Sequence, residues 1–193
     1  MKLLHCVIIF IFISVSTLLP GRVFFDVYGT ALDTGSLAKD QTGGGVALGF
    51  NIHRDYSIIY RGSYTNTSRN ENDDTFYHLT NMLGIEYLYT VYPRLDLKGS
   101  ILLGYSTTEV DKKDMRDDDG DEVDKLSDSG NNYGIWLGAQ YMINQWLAPF
   151  IDVGFHQSIY NNSFVNKEVY GYHIMVGVRF TLFGKNRSIT SDY

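Results

Sequence analysis

Cysteine is almost absent from this chain. The only one, Cys6, stands ahead of most of an N-terminal apolar run, whereas a lipoprotein cysteine follows such a run. Once a leader is removed no thiol remains, which excludes a disulfide framework, a thiol nucleophile and a cysteine metal site. Proline is scarce too, at three residues in 193, so there is no proline-rich linker or recognition segment. After residue 21 no stretch is apolar for long enough to cross a bilayer as a helix. Phosphate-loop, zinc and dinucleotide fingerprints are missing. A formal net charge of −6 argues against nucleic acid as a partner. No cofactor and no metal is expected.

Glycine and tyrosine, by contrast, are abundant, at 19 and 15 residues. The first 21 residues have the shape of a secretory signal: one Lys, an unbroken apolar run from Val7 to Ile13, then Ser, Thr and a Pro-Gly break. Cleavage after the small residues Ser14-Val15-Ser16 or near Gly21 both fit, and an uncleaved anchor helix is the alternative. Residues 22–183 then read as one domain, followed by a polar tail, 184–193. Mean hydropathy is that of a soluble protein, which alternating barrel strands also produce.

The strongest pattern is the last apolar run, Val169 to Phe183. Tyr172, Ile174, Val176, Val178, Phe180 and Leu182 form one set, against Gly171, His173, Met175, Gly177, Arg179 and Thr181. A period of two is a strand with one apolar face. Seven earlier runs alternate likewise: Val23 to Leu32, Gly44 to Ile52, Tyr56 to Thr65, Phe76 to Thr90, Leu95 to Thr107, Tyr133 to Ile143 and Leu147 to Ser158. Asn81 interrupts the apolar set of the fourth, where a bulge is expected.

The links alternate as well. Asp33 to Gly43, Asn66 to Thr75, Thr108 to Asn132 and Ile159 to Glu168 are polar and mostly long. Those at His53-Arg54-Asp55, Val91-Tyr92-Pro93-Arg94 and Asn144-Gln145-Trp146 are short. Up-and-down strands whose two rims face different compartments give this rhythm, as in outer-membrane barrels with short periplasmic turns and longer outer loops. The predicted fold is therefore all-β: an eight-stranded antiparallel up-and-down transmembrane β-barrel, closed by pairing of the eighth strand with the first.

Periodicity alone leaves open which set faces in, and a lipocalin-like barrel would bury the apolar one. Two features favour the inverse. The polar set is rich in small residues and carries both charges, so Arg61, Lys98 and Arg179 can meet Asp26, Glu86, Asp96 and Asp152, with His156 beside them, in a narrow lumen. Tyrosines recur at the ends of the apolar set: Tyr56, Tyr64, Tyr77, Tyr87, Tyr89, Tyr105, Tyr133, Tyr141 and Tyr172. That is the distribution of an aromatic girdle at headgroup level.

Gly177, Phe180, Leu182 and Phe183 match the closing strand of bacterial outer-membrane barrels, which carries a Gly and ends at an aromatic. From residue 23 to 183 the chain resembles the OmpA/OmpX-like family of small outer-membrane barrels. The resemblance implies residence in the outer membrane, contact with its lipid and insertion by the barrel-assembly machinery. The tail after Phe183 departs from the family. Family members suggest adhesion, membrane integrity or resistance to host defences, with host or environmental ligands met through the loops. A narrow OmpW-like channel for small or apolar solutes is the alternative.

Two motifs invite chemistry. Asp111 to Gly130 holds nine acids and four bases, dense enough for Ca²⁺. Aligning Gly120 with an EF-hand glycine puts Met115 and Leu126 at ligand positions, so the stretch reads as a solvated surface loop. His156-Gln157-Ser158, with Glu168 beyond, resembles the His-x-Ser motif of outer-membrane lipid A deacylases, also eight-stranded. Ile159 stands where that family has Asn, and parity points His156 and Ser158 inward, so an interior polar pair is expected and no catalytic residue is assigned.

Overall fold

Alternation at every second residue dictates extended chain, and a computed structural model shows it throughout the residues it describes: 22–33, 41–67, 75–111, 125–160 and 168–183. Eight strands follow in order: β1 (Val23–Asp33), β2 (Gln41–Asn51), β3 (Tyr56–Thr67), β4 (Thr75–Tyr92), β5 (Leu95–Asp111), β6 (Lys125–Tyr141), β7 (Leu147–Tyr160) and β8 (Glu168–Phe183). Each pairs antiparallel with the next, and β8 pairs with β1 from Val23↔Phe183 to Asp33↔Tyr172, so the sheet is a closed barrel. Closure pairs the backbone groups that an open edge would expose, the condition that hydrocarbon imposes. No helix among the described residues is long and apolar enough to cross a membrane.

Three short turns, 52–55, 93–94 and 142–146, share one rim, which we call the inner rim. Backbone bonds close the first and third, and in the third Trp146 N also donates to Asn144 Oδ1 at 2.8 Å. Ile52 N donates to Tyr56 O and Ile143 N donates to Leu147 O, both at 3.0 Å.

The two faces are inverted relative to a soluble barrel. Ile101, Leu103 and Leu137 face out, each more than 60% exposed, while Asp26 and Glu86 face in at 1%. Burial in water drives apolar groups inward. The observed arrangement holds only where the surroundings are themselves apolar, so this is a transmembrane barrel. Tyrosines frame the belt. Tyr56, Tyr87, Tyr89 and Tyr141 lie toward the inner rim, and Tyr64, Tyr105, Tyr133 and Tyr172 toward the outer, all exposed.

Several strands run two or three residues past the sequence reading, β2 from Gln41, β3 to Thr67, β4 to Tyr92 and β7 to Tyr160, and three further details differ. First, β6 begins at Lys125, not Tyr133, and β5 continues to Asp111; they pair through Thr108↔Asp128 and Asp111↔Lys125. Thr107, Ser129 and Asn131 face outward there, opposite inward Thr108, Asp128 and Asn132. Polar residues on both faces erase the two-residue period, so the strand ends were invisible to it. Second, no bulge occurs at Asn81, where both ladders run unbroken. Instead the Tyr60 hydroxyl donates to Asn81 Oδ1 at 2.6 Å, partnering the amide within the belt. The register shift in this region lies between Thr90 and Tyr92. Third, β6 ends at Tyr141 rather than Ile143.

Candidate functional site: the ion-paired lumen

Parity places one inward side chain every second residue, and an eight-stranded barrel is narrow enough for these to meet across it. Arg179 of β8 binds two carboxylates at once. Its Nε and Nη2 donate to Asp26 Oδ1 and Oδ2 at 2.7 and 2.8 Å, and its Nη1 and Nη2 donate to Glu86 Oε1 and Oε2 at 2.6 and 3.0 Å. Asp26 is on the neighbouring β1. Glu86, on β4, is four strands away around an eight-strand ring, and so on the opposite wall. A guanidinium with five N–H groups in a fixed plane can serve two carboxylates this way; an ammonium cannot.

A second brace crosses another diameter. Arg61 of β3 donates through Nη2 to Asp152 Oδ2 of β7 at 3.3 Å, and Lys98 of β5 lies 2.9 Å from Asp152 Oδ1. Each cation also lies over a ring: Arg179 over Phe24 at 3.7 Å, Lys98 over Phe150 at 3.8 Å and Arg61 over Trp136 at 5.2 Å. Within these two braces three cations meet three anions, all at least 95% buried, while Asp96 and Asp128 are buried outside them. Buried charge persists only when paired and hydrogen-bonded.

The rings need space, and inward glycines provide it. A Cβ on Gly49 would stand 1.9 Å from the Phe24 ring, and one on Gly154 would stand 2.0 Å from Trp136. The sequence reading passed over Phe24, Trp136 and Phe150. Their signal was parity: a bulky ring in the inward set, with glycine inward on the next strand (Gly49↔Phe24, Gly154↔Trp136).

Asp96 stands apart from these pairs. It accepts from Thr90 Oγ1 at 2.6 Å and from Gln140 Nε2 at 3.0 Å, close to the inner rim, and meets no cation there. Toward the outer rim the interior is neutral apart from the buried Asp128. His156 Nδ1 and His173 Nε2 share a hydrogen bond of 2.6 Å, and the His78 ring stacks 5.6 Å from that of His156. His78 Nδ1 reaches Thr108 Oγ1 at 3.0 Å and the Tyr160 hydroxyl at 3.2 Å.

His156 and Ser158 are fully buried and face this lumen. His156 bonds another imidazole rather than a carboxylate, and no hydrogen bond joins His156 Nε2 to Ser158 Oγ. A serine nucleophile needs that bond and needs access to substrate. Glu168 pairs through its backbone with Ile159. Of the C-terminal signal, Gly177, Phe180 and Leu182 lie on β8, with Phe180 and Leu182 facing out, and Phe183 pairs with Val23 at the inner rim. The acidic segment 112–124, the leader and the tail lie outside the described residues. Among the described residues no group of three or more His, Cys, Asp or Glu side chains is placed to hold a metal ion.

No family model matches the chain, and no curated protein matches its sequence. Solved structures do match its fold. Neisserial surface protein A is 13% identical with a TM-score of 0.62, over 84% of this chain and 97% of that one. A major outer membrane protein of Thermus thermophilus is 13% identical with a TM-score of 0.54, over 82% and 99%. Ail, the attachment invasion locus protein of Yersinia pestis, is 15% identical with a TM-score of 0.50, over 83% and 97%. The fold of this chain is that of small outer-membrane β-barrels.

Proposed function

We propose that the protein is an integral barrel of the bacterial outer membrane, of the OmpA/OmpX-like kind, that works as an anchor for its loops and not as a pore or an enzyme. The observation behind this reading is the lumen itself. Two ion-pair braces cross it on different diameters, backed by Phe24, Phe150 and Trp136. An ion would have to displace buried charges that are already paired, at a cost of several kcal/mol each. What remains free to act is the outer rim, where the long links, including acidic 112–124, meet the environment. Adhesion to a host or environmental surface is the role this arrangement serves best, and the name of Ail, the attachment invasion locus protein, points the same way. The end of β8 is the segment the barrel-assembly machinery would read.

The test has two arms. Purified protein in planar bilayers is expected to give no conductance steps; steady single-channel steps would replace the anchor with an OmpW-like channel. Exchange of 112–124 for a Gly/Ser link is expected to preserve heat-modifiable gel migration and to reduce binding of cells to host matrix. Unchanged binding would remove the acidic loop as the adhesive element, and altered lipid A on overexpression would restore the hydrolase reading.

A further inference from the structure

The lipid-facing surface is not uniform. Across β3 to β6 it holds a hollow of about 600 Å³, walled by Tyr56, Leu83, Tyr87, Ile101, Ile135 and Leu137. Gly99 forms its floor, in register between Tyr87 on β4 and Leu137 on β6. A Cβ built on Gly99 would meet only Leu137 Cδ2, at an ordinary 3.6 Å. Gly99 thus leaves the floor of the hollow open, and Leu137 alone borders the place its side chain would take. The two ends of the hollow differ. At the inner-rim end the rings of Tyr56 and Tyr87 pack at 5.0 Å and bring two hydroxyls to headgroup level. At the other end Leu83 and Ile135, at mid-strand, are wholly apolar. The inner-rim turns flanking these strands carry exposed Arg54 and Arg94.

We propose that this hollow seats one phospholipid of the inner leaflet, with an acyl chain laid along Gly99 and the phosphate held near Arg54 and Arg94. This rests on the transmembrane reading of the belt and goes beyond it, since ordinary belt surface holds no particular lipid. Polarity along the hollow runs as it does along a phospholipid whose head is at the inner rim. Arg54 and Arg94, on the turns beyond that end, supply positive charge for a phosphate. A second copy of the chain, which would have to set the exposed Ile101 and Leu137 of one patch against the same patch of the other, is the alternative the test separates.

The test is native mass spectrometry of the full protein, extracted from outer membranes in mild detergent. The wild type is expected to carry one phospholipid. Gly99→Leu puts a side chain into the floor, its Cβ at an ordinary contact distance, and is expected to lower retention at least tenfold. Gly29→Leu is the control, because Gly29 also faces out with nothing nearer a Cβ than Gly43 O at 3.9 Å; it is expected to keep the lipid. Arg54→Gln combined with Arg94→Gln leaves the hollow intact and is expected to cut retention several-fold. The proposal falls if the wild type carries no lipid, if Gly99→Leu keeps as much, or if the species lost in Gly99→Leu is a dimer. Retention of lipopolysaccharide in place of phospholipid would also overturn it. Heat-modifiable migration is read on every variant. Its absence in the wild type would instead remove the transmembrane reading.

Discussion

The two halves of the lumen satisfy buried polar groups in different ways. Toward the inner rim most of the groups are charged, and two of the pairs cross the barrel, Arg179 to Glu86 and Arg61 to Asp152, while Asp26 and Asp96 are met from adjacent strands. Toward the outer rim, Asp128 apart, they are neutral and mostly bond to an adjacent strand: His156 to His173, His78 to Thr108, Ser63 to Thr80, Thr65 to Gln41. The difference follows from what an unmet group costs. A buried hydroxyl or imidazole needs one or two bonds, which a neighbouring strand can supply. A buried charge is costly unless its field is neutralised as well as hydrogen-bonded, and Arg179 finds both by reaching two strands at once. Long side chains with multidentate heads are therefore concentrated in one layer, and that layer ties opposite walls together.

The largest effect is expected at the centre of that layer. Arg179→Ala leaves Asp26 and Glu86, both 1% exposed, without their shared partner. Removing one member of a buried pair costs about 3–5 kcal/mol, and here two carboxylates are stranded together. Urea unfolding in detergent or vesicles should show a loss in that range, with the apparent melting temperature lowered to match. Arg179→Lys should recover less than half, because an ammonium has three donors on one atom and cannot bind both carboxylates bidentately as the planar guanidinium does. Full rescue by Lys would mean that net charge, not geometry, holds the layer.

A smaller effect is expected where rings support the cations. Gly154→Val drives a side chain into Trp136, which lies beneath Arg61. Overpacking of this kind costs about 1–3 kcal/mol. The same change at outward Gly29, where a Cβ meets nothing nearer than 3.9 Å, should fall within about 0.5 kcal/mol of wild type. Equal losses at both sites would show that strand propensity, and not the ring beneath Arg61, sets the cost.

Both kinds of residue were unequally legible in the sequence. The strands, their order and the inversion followed from a period of two and from link length, because lipid outside and charge inside put a strong polarity contrast on successive residues. Charged members of the inner layer were visible for that reason. Their pairing was not: Asp96 was grouped with the cations but bonds Thr90 and Gln140 instead. Parity fixes which way a side chain points, and not how far along a tilted strand its partner lies. Where both faces are polar, as at Ser127 to Asn132, the contrast vanishes and the strand end was lost with it. The hollow at Gly99 left no sequence signal either, since a glycine in the outward set looks like any other until the neighbours' reach is known.

The neutral half should give the smallest of these effects. His173→Gln removes the 2.6 Å bond to His156 Nδ1 and the contact at 3.4 Å with Thr30 Oγ1, while keeping a polar group of similar length. The net worth of a neutral hydrogen bond is about 0.5–1.5 kcal/mol, and leaving His156 Nδ1 unmet adds to it, so a loss of about 1–2 kcal/mol is expected in the same urea unfolding. Because the partners sit on adjacent strands, the damage should stay local. Amide exchange should rise on β7 and β8 around Gly154↔His173 and remain unchanged on β4 at Glu86. Arg179→Ala should do the reverse and raise exchange on both walls at once, since it cuts a tie between them. If His173→Gln cost as much as Arg179→Ala, or spread as far, the distinction between a locally bonded layer and a cross-braced one would have to be given up.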